Sequence, residues 1–321
     1  MIRRLIPLLI AITLTACNGV QRYEPDRFLV AEHHAIPPAK TPPVTLPQGY
    51  RIMGYCCDDT TVYTIAASAG QNRWEYSLFI GDSLQLDAPK ASYRSETFIA
   101  MANAASGGMV AIGETLYTGL LSEEIFHDRL YEQPDSPCIC CWDISNGFDA
   151  MFFFGSLPAD QPADVHIGRD ARFIFNPDDS VFVLHTLLAP SVAVYRMDGQ
   201  LLGEHRLTSR MYGKPMPFSI EQSHKSSESL NFYESNTLFS NLYYDNYRKL
   251  YYCILVLPRE TSSDGMTLDE HRPWVLIVAD SNLRKRYEVF FHDYIPTLHI
   301  TPEGVLISKY NEPEADLYLF D

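Results

Sequence analysis

The chain has 321 residues, 46% of them hydrophobic and 12% aromatic, enough to bury a sizeable core. It carries 25 Lys and Arg against 40 Asp and Glu, a formal charge of −15. So acidic a surface repels phosphate backbones and argues against a nucleic-acid partner.

The first element is an export signal. Arg3 and Arg4 precede an apolar stretch from Leu5 to Leu14. That stretch is too short for a bilayer core, which needs about 20 helical residues, but it suits a secretory h-region. It ends in Leu14-Thr15-Ala16-Cys17, which matches the bacterial lipobox. The expectation is a signal peptide over residues 1–16 and acyl chains on Cys17; an ordinary signal with an incidental cysteine is the alternative. Two or more acyl chains anchor stably where one does not. Loss of Arg3 and Arg4 leaves 23 basic residues and a formal charge of −17. No later stretch is long and apolar enough to span a membrane, so the lipid is the expected anchor. Asn18 lacks the aspartate character tied to inner-membrane retention, which favours the outer membrane. Gly19 to Tyr23 lacks the acidic run of a surface-export signal, which favours a periplasm-facing body.

Residues 17–48 are expected to be a lipidated tether with a Pro-rich loop. Five prolines between residues 37 and 48 favour extended polyproline II, with Phe28 to Ala31 as a first strand before them. The body is expected over residues 49–321. Thr61 to Ala67 and Trp74 to Gly81 flank Ala69 to Asn72; Val110 to Ile112 and Leu116 to Leu121 flank Gly113-Glu114; Cys138 to Ile144 and Ala150 to Phe154 flank Ser145 to Gly147. The clearest unit follows: strands at Arg172 to Phe175, Ser180 to Thr186, Val192 to Met197 and Leu201 to Leu207, separated by Asn176 to Asp179, Ala189-Pro190 and Asp198-Gly199. Four consecutive antiparallel strands are the content of one propeller blade. Leu238 to Tyr244 pairs with Leu250 to Leu257, and Trp274 to Asp280 with Arg286 to Phe291; strands at Leu298 to Ile300, Val305 to Lys309 and Leu317 to Phe320 end the chain.

This text predicts an all-β fold, a β-propeller of about six or seven four-stranded blades. A β-sandwich is the rival, although it rarely needs so many strands in one domain. Neither a WD series nor a kelch double glycine recurs, so the count rests on strand pairs alone.

Apart from Cys17, the cysteines are Cys56, Cys57, Cys138, Cys140, Cys141 and Cys253. Export permits disulfides, and their clustering permits a soft-metal reading. Adjacent cysteines in a strand face opposite ways, so buried thiols are the leading reading and no metal or other cofactor is expected.

Asn241 to Pro258, NLYYDNYRKLYYCILVLP, resembles a motif of an uncharacterised lipoprotein family of Bacteroidota, a domain of unknown function. The matching residues are Tyr244-Asp245, Arg248 and Tyr251-Tyr252; Cys253 stands where that family commonly has Arg. The resemblance implies a lipidated address and a propeller-like fold, and no activity.

Ten histidines and many Asp and Ser residues occur without a nucleophile elbow, zincin helix, P-loop or dinucleotide fingerprint. No catalytic residue is assigned. His33-His34, Asp58-Asp59 and Glu123-Glu124 read as solvated turns, and Ser223 to Ser229 as a mobile polar loop. Twenty tyrosines are the salient feature of composition. Tyrosine packs well on strands, but an aromatic platform also recognises ligands, so Tyr244, Asp245, Arg248, Tyr251 and Tyr252 are the candidate ligand-binding residues. The expected role is a non-enzymatic, envelope-anchored module that binds a ligand or an envelope protein at the mouth of the ring. A glycan-active hydrolase or lyase and a structural subunit of an envelope complex are the alternatives.

Overall fold

The computed structural model describes residues 21–35, 44–57, 61–69, 74–81, 86, 88–93, 98–101, 108–122, 137–145, 149–165, 171–259, 272–292, 296–308 and 314–321. The chain enters through β1 (Gln21–Tyr23), a 3-10 turn at Pro25–Arg27 and β2 (Leu29–Ala35). Five small sheets follow. The first holds β3 (Tyr50–Cys57), β4 (Val62–Ala69), β5 (Trp74–Gly81) and β6 (Ala91–Tyr93). The second holds β7 (Phe98–Met101), β8 (Met109–Ile112), β9 (Thr115–Ser122), β10 (Ile139–Asp143) and β11 (Asp149–Phe154), with β7 and β8 sharing one edge of β9. The third holds β12 (Arg172–Asn176), β13 (Val181–His185), β14 (Ser191–Arg196) and β15 (Leu201–Arg206).

Two short helices, α1 (Ile220–Ser223) and α2 (Ser226–Ser235), precede the fourth sheet: β16 (Leu238–Asp245), β17 (Leu250–Val256), β18 (Trp274–Ala279) and β19 (Lys285–Phe291). Ser223 to Ser229 is therefore largely helical and not a loop; Ser219 caps α1 through the Gln222 N–H and Gln222 answers on the Ser219 N–H. The last sheet is β20 (Thr297–Ile300), β21 (Val305–Ser308), β22 (Glu314–Tyr318) and, outermost, β2.

The architecture is all-β and propeller-like, a ring of five blades among the described residues, and the expected six or seven is corrected. The overcount has one cause. The pairs β8–β9 and β10–β11 belong to one blade, as do β16–β17 and β18–β19, because long connections separate the second and third strands. Long connections look like blade boundaries in sequence. Residues 21–35, where a first strand is expected at Phe28 to Ala31, supply two strands: β2 pairs antiparallel with β22 and closes the ring, and β1 adds to β19 in parallel.

The core lies between blades. Strands β13, β17 and β18 are buried along their whole length because a neighbouring blade covers each face. Phe173, Phe182, Leu184 and Tyr195 meet Tyr117, Ile139 and Phe154 between the second and third blades. Val183, Val194, Leu242, Tyr251, Leu255 and Ile277 fill the next junction. Tyr252, Trp274, Val289, Leu298, Tyr318 and Phe320 fill the one after, joined by Phe28 from the N-terminal segment. All six cysteines from Cys56 to Cys253 are thiols, four of them buried.

Candidate functional site

The ring has two unlike faces. On one, each first strand turns tightly into the second. Asn176 Oδ1 accepts the N–H of Asp178 and Asp179, Asp245 Oδ1 that of Tyr247 and Arg248, and Thr301 Oγ1 that of Gly304. Each side chain satisfies its own turn.

These turns lock neighbouring blades together, and the five residues singled out from the resemblance all lie here. Tyr244 and Lys249 both donate to Asp178 on the preceding blade. The Lys249 hydrogen bond, then that of Tyr244, holds the Asp178 carboxyl below its usual range. Arg248 donates 2.8 Å to the Asp245 carboxylate, and 3.1 and 2.8 Å to the Thr301 and Pro302 carbonyls of the following blade. Asp245 is fully buried and also accepts from the Tyr252 hydroxyl at 3.0 Å. Tyr251 accepts from Asn176 Nδ2 at 2.7 Å, and burial pushes its phenol up to about 12. Tyr251 and Tyr252 are 1% and 0% exposed, so a ligand would reach them only after their removal from the core. The structure brings the five together as a strut between three blades.

Of the other singled-out residues, His33 and His34 sit exposed on β2, with His33 beside Glu314 at 3.1 Å. Asp58-Asp59 and Glu123-Glu124 lie outside the described residues. No group of three or more His, Cys, Asp or Glu side chains suited to a metal occurs among the described residues.

The opposite face carries the long connections, where loops set on a rigid scaffold commonly bind. A polar strip crosses the first strands of three blades, from Arg172 at that end of β12 to Tyr243 and His299, each two residues short of its tight turn. Arg172, at the start of β12, donates from Nη1 to the Ser240 carbonyl at 2.8 Å and to Asn241 Oδ1 at 3.2 Å on β16. Asn241 Nδ2 donates to the Tyr243 hydroxyl at 3.3 Å. Burial raises the Tyr243 phenol, opposed by the Asn241 hydrogen bond, the Leu298 main chain on β20 and the Arg172 charge. His299, also on β20, is half-buried, and burial lowers its pKa. The register of β16 shifts between Phe239 and Asn241, so Ser240 is an extra residue there. Such a bulge re-aims the side chains beside it.

Behind the strip stands His185, cross-strand from Arg172 and 2% exposed. Neither ring nitrogen has a hydrogen-bond partner of good geometry. Burial, then the nearby Arg172 charge, pushes its pKa down to about 3, so the imidazole is neutral. Sequence reading placed Arg172, His185, Asn241 and Tyr243 in strands without singling them out as a site, because no spacing announces contacts made between blades.

No family model matches the sequence, and no curated protein matches it. Among solved structures the chain is similar to a member of the DUF4221 family from Bacteroides vulgatus, at 12% identity and a TM-score of 0.52, covering 91% of this chain and 97% of that one. A periplasmic gluconolactonase of Pseudomonas aeruginosa is 12% identical over 78% of this chain and 60% of that one, with a TM-score of 0.42. A Bombyx mori β-fructofuranosidase is 12% identical over 96% and 62%, with a TM-score of 0.37. The first likeness shows the fold: the propeller arrangement is shared with a protein of a family of unknown function.

Proposed function

We propose that the protein is a lipoprotein of the bacterial outer membrane, acylated on Cys17, whose propeller faces the periplasm and binds a small polar ligand without turning it over. The lipobox supports the address. One observation carries the binding site: Arg172, Asn241 and Tyr243 form a continuous, half-buried polar strip across adjoining blades. Buried polar side chains normally end in fixed hydrogen bonds; here a guanidinium, an amide and a phenol are half-buried and gathered in one place. Their chemistry fits hydroxyl and carboxylate groups, and saccharides, neutral or acidic, are the class to try first.

Two measurements test this. The Cys17→Ser protein should leave the membrane fraction as a folded, soluble body. That body, titrated calorimetrically with neutral and acidic saccharides, should bind at least one, and Tyr243→Phe or Arg172→Gln should weaken it roughly tenfold or more, the effect of one lost hydrogen bond to a charged group. If no saccharide in the panel binds, the ligand class is wrong; if both substitutions leave a measured affinity unchanged, the site is elsewhere.

A further inference from the structure

The chain N-terminal to the ring is docked, and this fixes how close the body lies to its anchor. β1 pairs in parallel with β19, Gln21 opposite Tyr287 and Tyr23 opposite Val289. Cys17 is four residues before Gln21, and an extended chain spans at most about 3.5 Å per residue, so roughly 14 Å separates them at full stretch. A lipid on Cys17 would thus keep the outer edge of the fourth blade within about 14 Å of its point of attachment.

That edge has the matching chemistry. Gln21 meets β19 one residue past Arg284-Lys285-Arg286. Lys285 Nζ donates 2.8 Å to the Thr208 carbonyl, and Arg22 lies 3.9 Å from the Met211 sulfur and 3.9 Å over the Phe290 ring. The stretch from Thr208 to Met211 therefore borders the same edge, before the chain crosses to Thr237 and Asn236 ahead of β16. It exposes Arg210, and Met211 at 39%. Residues 205 to 220 contain no Asp or Glu, in a chain where acids far outnumber bases. An exposed methionine among cations, beside the point of lipid attachment, suits an interface of phosphate headgroups over acyl chains.

We propose that this rim, made of β1, the exposed Arg284 and Arg286 and the Thr208–Met211 stretch, rests on a phospholipid surface, so that the ring stands edge-on. The inference rests on the lipid-anchor reading and adds an orientation to it. Strand β19 then lies near the headgroups, and the long-connection face opens sideways, parallel to the membrane, where a soluble ligand can enter.

The full-length acylated protein, reconstituted in vesicles of phosphatidylethanolamine and phosphatidylglycerol containing brominated lipid, tests it. Two single variants report position: Met211→Trp on this rim, and Phe153→Trp on the outer strand of the second blade, both exposed residues. Each increment of fluorescence is read against the unsubstituted protein. Met211→Trp is expected to be quenched roughly twofold more than Phe153→Trp, as for side chains seated in the headgroup region. Equal quenching, or none at residue 211, while the protein still floats with the vesicles, overturns the edge-on surface and leaves the anchor standing. Failure of the acylated chain to float overturns the anchor reading, and the orientation with it.

Discussion

His185 shows how burial, helped by the nearby Arg172 charge, makes a side chain acid-sensitive. Its folded-state pKa is about 3, below the ordinary histidine value of 6.5. Between those values the unfolded chain binds a proton that the folded one refuses. The contribution is therefore complete above pH 6.5 and is lost as pH falls toward 3, at up to about 1.4 kcal/mol per pH unit. His185→Phe should make the urea midpoint fall less between pH 7 and pH 5 than in the unsubstituted protein; an identical fall would show that His185 does not titrate there. The thiols make a second residue-scale case. Burial pushes Cys138, Cys141 and Cys253 up to about 12 and raises Cys140 as well, so their thiolates are scarce at neutral pH. With Cys17→Ser in place, an aromatic disulfide reagent should label Cys57 and, more slowly, Cys56. The other four should react only in denaturant. Asp245 is a costly residue to lose, since it caps its turn and neutralises Arg248 from full burial. Asp245→Ala should cost about 3–5 kcal/mol, the usual effect of stripping one partner from a buried pair, read as a lower urea midpoint.

The blade repeats its geometry more faithfully than its letters. In the second, third and fourth blades the outer strand carries one extra residue just after the last turn: Met151, Leu202 and Arg286. Each lies a few residues past an Asp that accepts main-chain N–H groups, namely Asp143, Asp198 and Asp280. A bulge adds twist at a fixed place, which lets unrelated side chains build similarly coiled outer edges. This explains what could be read from the sequence. Individual strands were legible because each central one is a short apolar run between turn residues, as in Val181 to His185. Blade membership was not, since a connection such as that between β17 and β18 has the same polar text inside a blade as between blades. β2 was read as a lone strand because its partner, β22, is almost a chain length away. The candidate site was the least legible: the Tyr-Asp and Tyr-Tyr residues, candidates for ligand binding in the sequence, meet in a strut between blades, while Arg172 and Asn241 meet only once blades are side by side. Gly304 is a point where one letter does matter. A Cβ there would lie 2.4 Å from the Tyr318 carbonyl oxygen and 2.8 Å from Leu317 Cδ1. Main chain cannot yield as a side-chain tip does, so Gly304→Ala should cost about 1–3 kcal/mol and push β22 outward, seen as faster hydrogen exchange in β22 and β2.

At the scale of the whole molecule, the question is what keeps a ring of five sheets shut. The second to fifth blades offer one another apolar faces, but the last one is assembled from both ends of the chain, and its fourth strand arrives with β2. The closure is more than a ladder. Phe28 stacks on Tyr287 with centroids 5.3 Å apart and contacts Phe320, the Leu319 N–H donates to the Phe28 carbonyl, and the Tyr287 hydroxyl donates to the Asp321 carbonyl. β1 differs: it joins the outside of the fourth blade after that blade is already four-stranded, and shares no sheet with β22. Two truncations of the unlipidated body separate these roles. A chain beginning at Pro25 lacks β1 but keeps Phe28 and β2, and should stay monomeric with a small loss of melting temperature. A chain beginning at Ile36 lacks both strands, leaves β22 as a bare hydrogen-bonding edge, and should associate with rising concentration in size-exclusion chromatography, because an unpaired edge recruits another chain. If the two behave alike, the ring is held by its blade junctions and not by the N-terminal strand. If only the second associates, β2 is the clasp, and β1 is dispensable for keeping the ring shut.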